Sequence, residues 1–402
     1  MTAPLPRKVC VITGSRAEYG LLRGVMQEIA ADDALQLQTI VTGTHLLPEF
    51  GLTVQEIEQD GFRIDWRVAI LPTDATVRDD SPVGIAKAMG AGLSGFADAL
   101  HALKPDLIVV LGDRYEILPA VTAALVARIP VAHLHGGEVT EGAIDDSIRH
   151  AITKLSQLHF VAAPAYRRRV IQLGERPEHV FLVGGLGVDS LRRLQLLPRE
   201  ELEASLGVRL ASKSLLVTFH PATLDDTTAE AQMAELLAAL AALPETQLIF
   251  TLANADTGGR AINGMIERFV AEHPEAHAFA SLGQLRYLSC LAQVDGVVGN
   301  SSSGLLEAPS LHKGTVNLGD RQRGRLRAAS VIDCAPQREA IAAALQRLYS
   351  PAFQASLPGV TSPYGEGGAC CRVVEVLKAV SLDGIIRKAF YDVPGPQLGE
   401  GR

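Results

Sequence analysis

The chain has 402 residues, 47% hydrophobic and 20% charged, which is enough apolar matter for two or three domains of about 150 residues and too much for disorder. Lys and Arg number 37 against 45 Asp and Glu, a formal charge of −8, which argues against a general affinity for nucleic acid or anionic membrane. No apolar run of about 18 residues suggests a spanning helix, and MTAPLPRKVCVITG enters a strand with no signal-peptide h-region, so the expected compartment is the cytoplasm.

Short β-branched runs alternate with helical stretches from the start. Strands are predicted at Val9–Thr13, Leu37–Thr42, Leu107–Leu111, Val131–Leu134 and Val180–Val183. Between them, Ile85, Met89, Leu93, Phe96, Leu100 and Leu103 recur at helical spacing, which puts them on one face of a helix. A pause at Gly184-Gly185-Leu186-Gly187 and a charged stretch to Glu203 precede a second alternation. Its strands are predicted at Leu215–Phe219, Leu248–Leu252, Gly296–Val298, Thr315–Leu318 and Val331–Ile332. Strands this apolar, separated by helices, predict an α/β chain of two doubly wound parallel sheets with helices on both faces. The expected boundaries are 1–188, 189–367, helices over 368–393 that return to the first half, and a disordered tail at 394–402. Cys10, Cys290, Cys334, Cys370 and Cys371 are scattered, contain no CxxC pair and read as ordinary thiols.

In open α/β sheets ligands lie beyond the carboxyl ends of the strands, so the polar residues after each strand carry the argument. After the first strand, Gly14-Ser15-Arg16 precedes a helix expected to start near Glu18, and helix-start amides with a guanidinium suit a pyrophosphate; a polar turn with a solvated Arg16 is the alternative. No GxGxxG occurs there, which removes support for a nicotinamide or flavin cofactor. Asp113 and Arg114 follow the most apolar strand and read as an active-site carboxylate with its neighbour, or as a structural pair. His133, His135, Glu138, Asp145 and Asp146 crowd one stretch, with Gly136-Gly137 allowing the backbone close to a ligand. Asp145 or Asp146 also suits a helix cap, and His133 with His135 would share a strand face as a metal pair would. His220 directly follows a strand and can donate to a phosphate or a leaving group, or be satisfied locally. Asn300-Ser301-Ser302-Ser303-Gly304 precedes a helix and reads as an anion seat, or as a plain serine cap, with Glu307 one turn in and suited to a diol such as ribose. The alternating Arg321, Arg323, Arg325 and Arg327 contain no aromatic for base stacking and fit a ligand or subunit contact better.

Taken together, TGSRAEYG, GDRYE, HGGEVTEGAIDDSIRHAITKLS, HPAT, NADTGG, GNSSSGLLEAP and NLGDRQRGRLRA resemble the UDP-N-acetylglucosamine 2-epimerase family, in its hydrolysing branch of sialic-acid and legionaminic-acid pathways. The resemblance spans roughly residues 8–375. It implies a GT-B-like pair of Rossmann-like domains with the sugar nucleotide in a central cleft. It assigns Arg16, His220, Asn254, Ser301, Ser302, Glu307 and Arg321 to the nucleotide, and Asp113, Arg114, Glu138 and Asp145 to the sugar. Many relatives carry a carboxylate where this chain has His135, so that task falls to imidazole or to Glu138. The expected reaction is loss of UDP to give a glycal, then water addition at C1 with inversion at C2, His220 helping the pyrophosphate leave. It requires two acid/base groups, drawn from Asp113, His135, Glu138 and Asp145. The substrate expected first is UDP-N-acetylglucosamine, the alternative UDP-N,N'-diacetylbacillosamine; a non-hydrolysing epimerase and a sugar-nucleotide sensor are further from the motifs. No cofactor or metal is required, and relatives imply a homodimer or homotetramer.

Overall fold

A computed structural model describes residues 5–48, 51–72, 81–140, 144–221, 228–252, 259–280 and 282–394. Asn254 and most of the tail expected after Pro394 lie outside the described residues. The chain divides into two compact units, one of Met1–Glu138, Ala143–Ser190 and Gly367–Arg402, the other built on Leu191–Glu366.

The first unit holds a seven-stranded sheet in the order β3-β2-β1-β4-β5-β6-β7, every pairing parallel. Its strands are β1 (Arg7–Thr13), β2 (Leu35–Thr42), β3 (Trp66–Val68), β4 (Leu107–Leu111), β5 (Val131–Leu134), β6 (Leu158–Val161) and β7 (Val180–Leu182). The helices between and after them are α1 (Arg16–Ala31), α2 (Val54–Gln59), α3 (Pro82–Leu103), α4 (Leu118–Val126), α5 (Ile144–Leu155), α6 (Pro164–Gln172) and α7 (Leu186–Arg193). Alternate residues of one strand feed opposite cores. Val9 and Val11 join one apolar cluster with Leu22, Val25 and Met26 of α1, while Cys10 and Ile12 join another with Phe96 and Leu100 of α3. A strand covered on both faces must be apolar throughout, and β4, Leu-Ile-Val-Val-Leu, is buried at all five positions.

The expected stripe on α3 is buried only in part. Its buried residues are Ala88, Gly92, Phe96, Ala99 and Leu100, whereas Leu93 is 41% exposed. Small residues let α4 approach, since a Cβ on Gly92 would lie 3.2 Å from the Pro119 side chain. Phe96 and Leu100 of the expected stripe are buried, and small residues fill the rest of the contact face.

The second unit holds a six-stranded parallel sheet ordered β10-β9-β8-β11-β12-β13. Its strands are β8 (Ser214–Thr218), β9 (Gln247–Thr251), β10 (Ala276–Phe279), β11 (Gly296–Gly299), β12 (Gly314–Leu318) and β13 (Val331–Cys334). Here too Leu215 and Val217 face one cluster and Leu216 the other. The pair of parallel-sheet units is a GT-B-like, doubly wound α/β architecture.

The last helix, Ala369–Ala379, packs Ala369, Cys370, Val373 and Leu377 into the cluster around α1. Asp189 of α7 caps it, accepting the Cys370 N–H at 2.8 Å, and Arg372 donates to the Val183 carbonyl at 2.9 Å. All five cysteines are free thiols. Among the described residues no helix is long and apolar enough to cross a membrane.

Candidate functional site

Strand order reverses direction between β1 and β4 in the first sheet and between β8 and β11 in the second. Such switch points leave a crevice at the carboxyl ends where neighbouring connections diverge. The polar turns singled out in the sequence follow these strands.

In the first unit, β1 ends at Gly14 and Ser15 caps α1, its hydroxyl accepting the Glu18 N–H at 3.4 Å. The helix therefore begins at Arg16, earlier than the expected start near Glu18. Arg16 is half exposed and pairs with Glu56 at 2.9 Å, a surface contact of little strength that a ligand can replace. Asp113 and Arg114 do not pair with each other. Arg114 donates to Glu116 at 2.6 Å, and Asp113 accepts from Arg149 of α5. Arg149 is 2% exposed and also donates to the Glu138 carbonyl at 3.0 Å and to Asp146 at 3.1 Å. A buried guanidinium needs such partners, so Arg149 gathers the ends of β4 and β5 around α5.

His135 stands in the left-handed region (φ +63°), a conformation costly for this residue type and common at functional sites. Its Nδ1 lies 2.9 Å from Glu138 Oε1, and its Nε2 accepts the Leu186 N–H at 3.4 Å. That acceptor role assigns the ring proton of the neutral imidazole to Nδ1. His133 is buried, its Nε2 2.8 Å from the Gly112 carbonyl and its Nδ1 3.2 Å from Thr153 Oγ1; burial pushes it down to about 3. The two imidazoles are thus engaged with different protein partners, and among the described residues no group of three or more His, Cys, Asp or Glu is arranged to hold a metal ion. Gly136 and Gly137 are required by packing within the protein itself. A Cβ on Gly137 would lie 2.5 Å from the Tyr166 carbonyl oxygen, and one on Gly136 would lie 3.1 Å from His133 Nδ1.

Asp145 and Asp146 stand inside the first turn of α5, not ahead of it as a cap, where negative charge suits the helix dipole. Asp146 is occupied by Arg149, with His150 at 3.4 Å. Asp145 is half-buried and makes no hydrogen bond or ion pair with the described residues.

In the second unit, Asn300 joins the two strand ends at the switch point. Its Oδ1 accepts the His220 N–H and its Nδ2 donates to the His220 carbonyl, both at 2.8 Å. Its own carbonyl accepts from Arg321 at 3.0 Å and from Gln322 at 2.8 Å. His220, Ser301 and Arg321 are thereby held around one asparagine. Ser303 to Leu306 form only a single helical turn, and Ser301 Oγ accepts the Ser303 N–H at 3.4 Å; Ser302, before the turn, makes no side-chain cap. A helix of one turn has little dipole, so what this turn offers is chiefly its hydroxyls. The Tyr287 hydroxyl is buried beside Ser301, Ser303 and Thr218.

Glu307 has a buried Oε2 with no hydrogen bond. Burial pushes its carboxyl up to about 7, against the opposing effects of Ser303 and Arg325. An orphaned carboxylate oxygen calls for a donor, and a pair of hydroxyls supplies one. The alternating arginines separate. Arg321 serves Asn300, Arg327 pairs with Asp333 at 2.7 Å, and Arg323 is exposed, 3.8 Å from Asp320. Arg149, Gln322 and Tyr287 were not singled out from the sequence, because their importance lies in partners far along the chain, and Asn300 was read only as the first residue of the serine run. The IDDSIRH run did contain a clue to Arg149, an arginine four residues beyond an acidic helix start.

Comparison with known proteins now bears on this geometry. Residues 27–378 match the family described as UDP-N-acetylglucosamine 2-epimerase. The chain belongs to that family. A protein of Campylobacter jejuni, GDP/UDP-N,N'-diacetylbacillosamine 2-epimerase (hydrolyzing), is 40% identical over 389 residues, covering 96% of this chain and 99% of the relative. Polysialic acid biosynthesis protein P7 of Escherichia coli is 37% identical, covering 96% and 98%. UDP-N,N'-diacetylbacillosamine 2-epimerase (hydrolyzing) of Legionella pneumophila is 36% identical, covering 94% and 97%. These matches put this 2-epimerase family member among enzymes of the hydrolysing branch. The fold is shared with a solved UDP-GlcNAc 2-epimerase from Neisseria meningitidis bound to UDP-GlcNAc, at TM-score 0.70 and 19% identity over 92% of this chain and 99% of that one. A second, from Methanocaldococcus jannaschii in complex with UDP-GlcNAc and UDP, gives 0.74 at 17% identity over 93% and 100%.

Proposed function

We propose that the chain is a hydrolysing UDP-sugar 2-epimerase that releases UDP and the free C2-inverted sugar, with UDP-N,N'-diacetylbacillosamine as its substrate. The full-length identity to relatives named for that reaction carries the reading, and it reverses the order in which the sequence motifs placed the two sugars. UDP-N-acetylglucosamine remains the second reading, because the family description and a Neisseria meningitidis relative 29% identical over 345 residues carry that name.

The C2 hydrogen of the bound sugar is not adjacent to a carbonyl, so enolisation cannot acidify it. Departure of UDP builds positive charge at C1, and the C2 proton can then leave to give a glycal. Arg16, the serine run and His220 would stabilise the departing diphosphate, and Glu307 would accept the ribose hydroxyls. Water adds at C1 as a proton returns to C2 on the opposite face, which needs two separately placed acid/base groups. Asp113, held by Arg149, the uncommitted Asp145, and Glu138 with its His135 partner are the groups that fit.

Turnover in deuterium oxide should place one deuterium at C2 and release one UDP per sugar. Unlabelled product would remove the elimination step, and surviving nucleotide sugar would point to re-addition of UDP instead. Parallel turnover of both UDP-sugars, scored by product, decides the substrate.

Glu307 adds a pH dependence. Only its ionised form accepts two hydroxyls, and burial holds it up to about 7, so UDP affinity should fall as pH drops through 7. Between pH 7 and 6 the loss is about fivefold. Glu307→Gln should bind UDP more weakly and lose this part of the pH response; comparison with that variant removes the titration of the nucleotide phosphate itself. Equal acid limbs in the two proteins would refute the assignment.

A further inference from the structure

Two buried carboxyl groups crowd the backbone where β1 ends. Glu18 is 5% exposed and Glu116 fully buried, and a Cβ on Gly14 would lie 3.3 Å from Glu18 Oε2 and 3.3 Å from Glu116 Cβ. Glu18 Oε2 accepts the Gly14 N–H at 2.7 Å. Glu116 Oε1 accepts from Arg114 through Nη2 at 2.6 Å and Nε at 3.2 Å. The other oxygen of each, Glu18 Oε1 and Glu116 Oε2, is buried with no hydrogen bond.

The charged groups facing Glu18 are Arg114, Glu116 and Asp113, all from the stretch after β4. Thr42, Gly43 and Thr44, which pack on Gly14 from the turn after β2, carry no charge. Asp113 is held by Arg149, so one guanidinium, Arg114, is left to the two buried glutamates. Two neighbouring buried carboxylates cannot both ionise cheaply, and Glu116 has the guanidinium while Glu18 has only an amide. The helix start favours ionised Glu18, but desolvation opposes it more strongly. Burial pushes Glu18 up to about 8, against Arg114 and the Gly14 N–H and with help from Glu116 and Asp113.

We propose that Glu18 is a positioning residue kept as a neutral acid, so that the start of α1 meets the diphosphate of a nucleotide without a competing negative charge, while Glu116 aims Arg114. The first-turn amides of α1 and Arg16 favour an anion. An ionised Glu18 in that same turn would satisfy the preference from within and repel the ligand. The inference rests on the UDP-sugar activity proposed above, and it adds a proton to nucleotide binding.

Titration calorimetry of UDP into the full chain, in buffers of different ionisation heat, counts that proton. Above pH 8 the wild type should take up a proton as UDP binds, and its affinity relative to Glu18→Gln should fall about tenfold between pH 7 and 9. Glu18→Gln should show neither the uptake nor the alkaline fall. Glu116→Gln transfers Arg114 to Glu18 and should move the alkaline fall about a pH unit lower. A ligand-free comparison tests the proton by itself. Folding raises the Glu18 pKa from 4.5 to about 8, so the stability linked to its protonation is full in acid and lost as pH rises to about 8. The Tm of wild type relative to Glu18→Gln should accordingly decline from pH 5 to 8 and then level off. A flat Tm difference would overturn the neutral acid. A sloping Tm difference with UDP affinity unchanged from pH 7 to 9 would overturn its role toward the diphosphate. Failure of UDP to bind at any pH would overturn the nucleotide reading instead, and the Tm comparison would still decide the proton.

Discussion

Asp113→Asn should lower kcat about a thousandfold, in the range by which a placed acid or base accelerates proton transfer, and leave the Kd for UDP within about threefold. The substitution preserves shape and removes charge. Asp113 follows a strand buried at every position, so its backbone is held firmly, and its carboxylate is turned to Arg149. Asparagine still offers Arg149 an oxygen, which limits any rearrangement of α5. The groups assigned to the nucleotide around Asn300 belong to the other unit and are untouched. Steady-state kinetics with UDP release, beside UDP calorimetry, separates the two effects. A kcat within about fivefold of wild type would show that Asp113 is not a proton-transfer group. A UDP affinity that fell with kcat would make it a binding residue.

The Arg149 contact also marks how far the sequence could be read. Asp113 was legible because a charge directly after five apolar residues has few structural uses. Arg149 looked like one more charge on a polar helix, and its meaning depends on β4, β5 and α5 meeting in space. The strands behaved in the same way. β4 and β8, buried on both faces, were plain as apolar runs. β6, Leu-His-Phe-Val, was missed because His159 interrupts it. The histidine is fully buried only because Glu175, sixteen residues on, accepts from it at 2.9 Å. β3 has three residues, one of them buried, and β10 has a single fully buried residue, too little for periodicity to register. On α3 the spacing found the helix and the buried Phe96 and Leu100 but not Ala88, Gly92 and Ala99 beside them, since Ala and Gly score as weakly apolar yet permit the closest packing. In the second unit the serine run was visible by composition. Asn300 was read with that run, but its tie to His220 was not legible, because its side chain pairs with a backbone 80 residues away.

Gly299→Ala should abolish folding of the second unit, costing more than about 4 kcal/mol, the range reserved for backbone and core catastrophes. Gly299 ends β11 with φ +133°, a region that residues with a Cβ rarely enter. A Cβ there would stand 1.9 Å from the carbonyl oxygen of Thr218, its pairing partner on β8. The oxygen cannot move aside, because it accepts the Asn300 N–H at 3.1 Å and belongs to a strand buried throughout. Relief would require β8 and β11 to part at the point where Asn300 bonds His220, so any protein that did fold should have lost UDP binding as well. The control is Gly264→Ala, within the helix Gly259–Glu272, where a Cβ meets only Arg268 Nη1 at 3.6 Å. Helix propensity should make that change neutral or stabilising by up to about 1 kcal/mol. Soluble yield and Tm of the two variants, measured together, distinguish a general intolerance of added methyl groups from a requirement at this strand end. A Gly299→Ala protein with wild-type Tm would mean that the β11 turn relaxes freely, and the rigid junction assigned to Asn300 would fall with it.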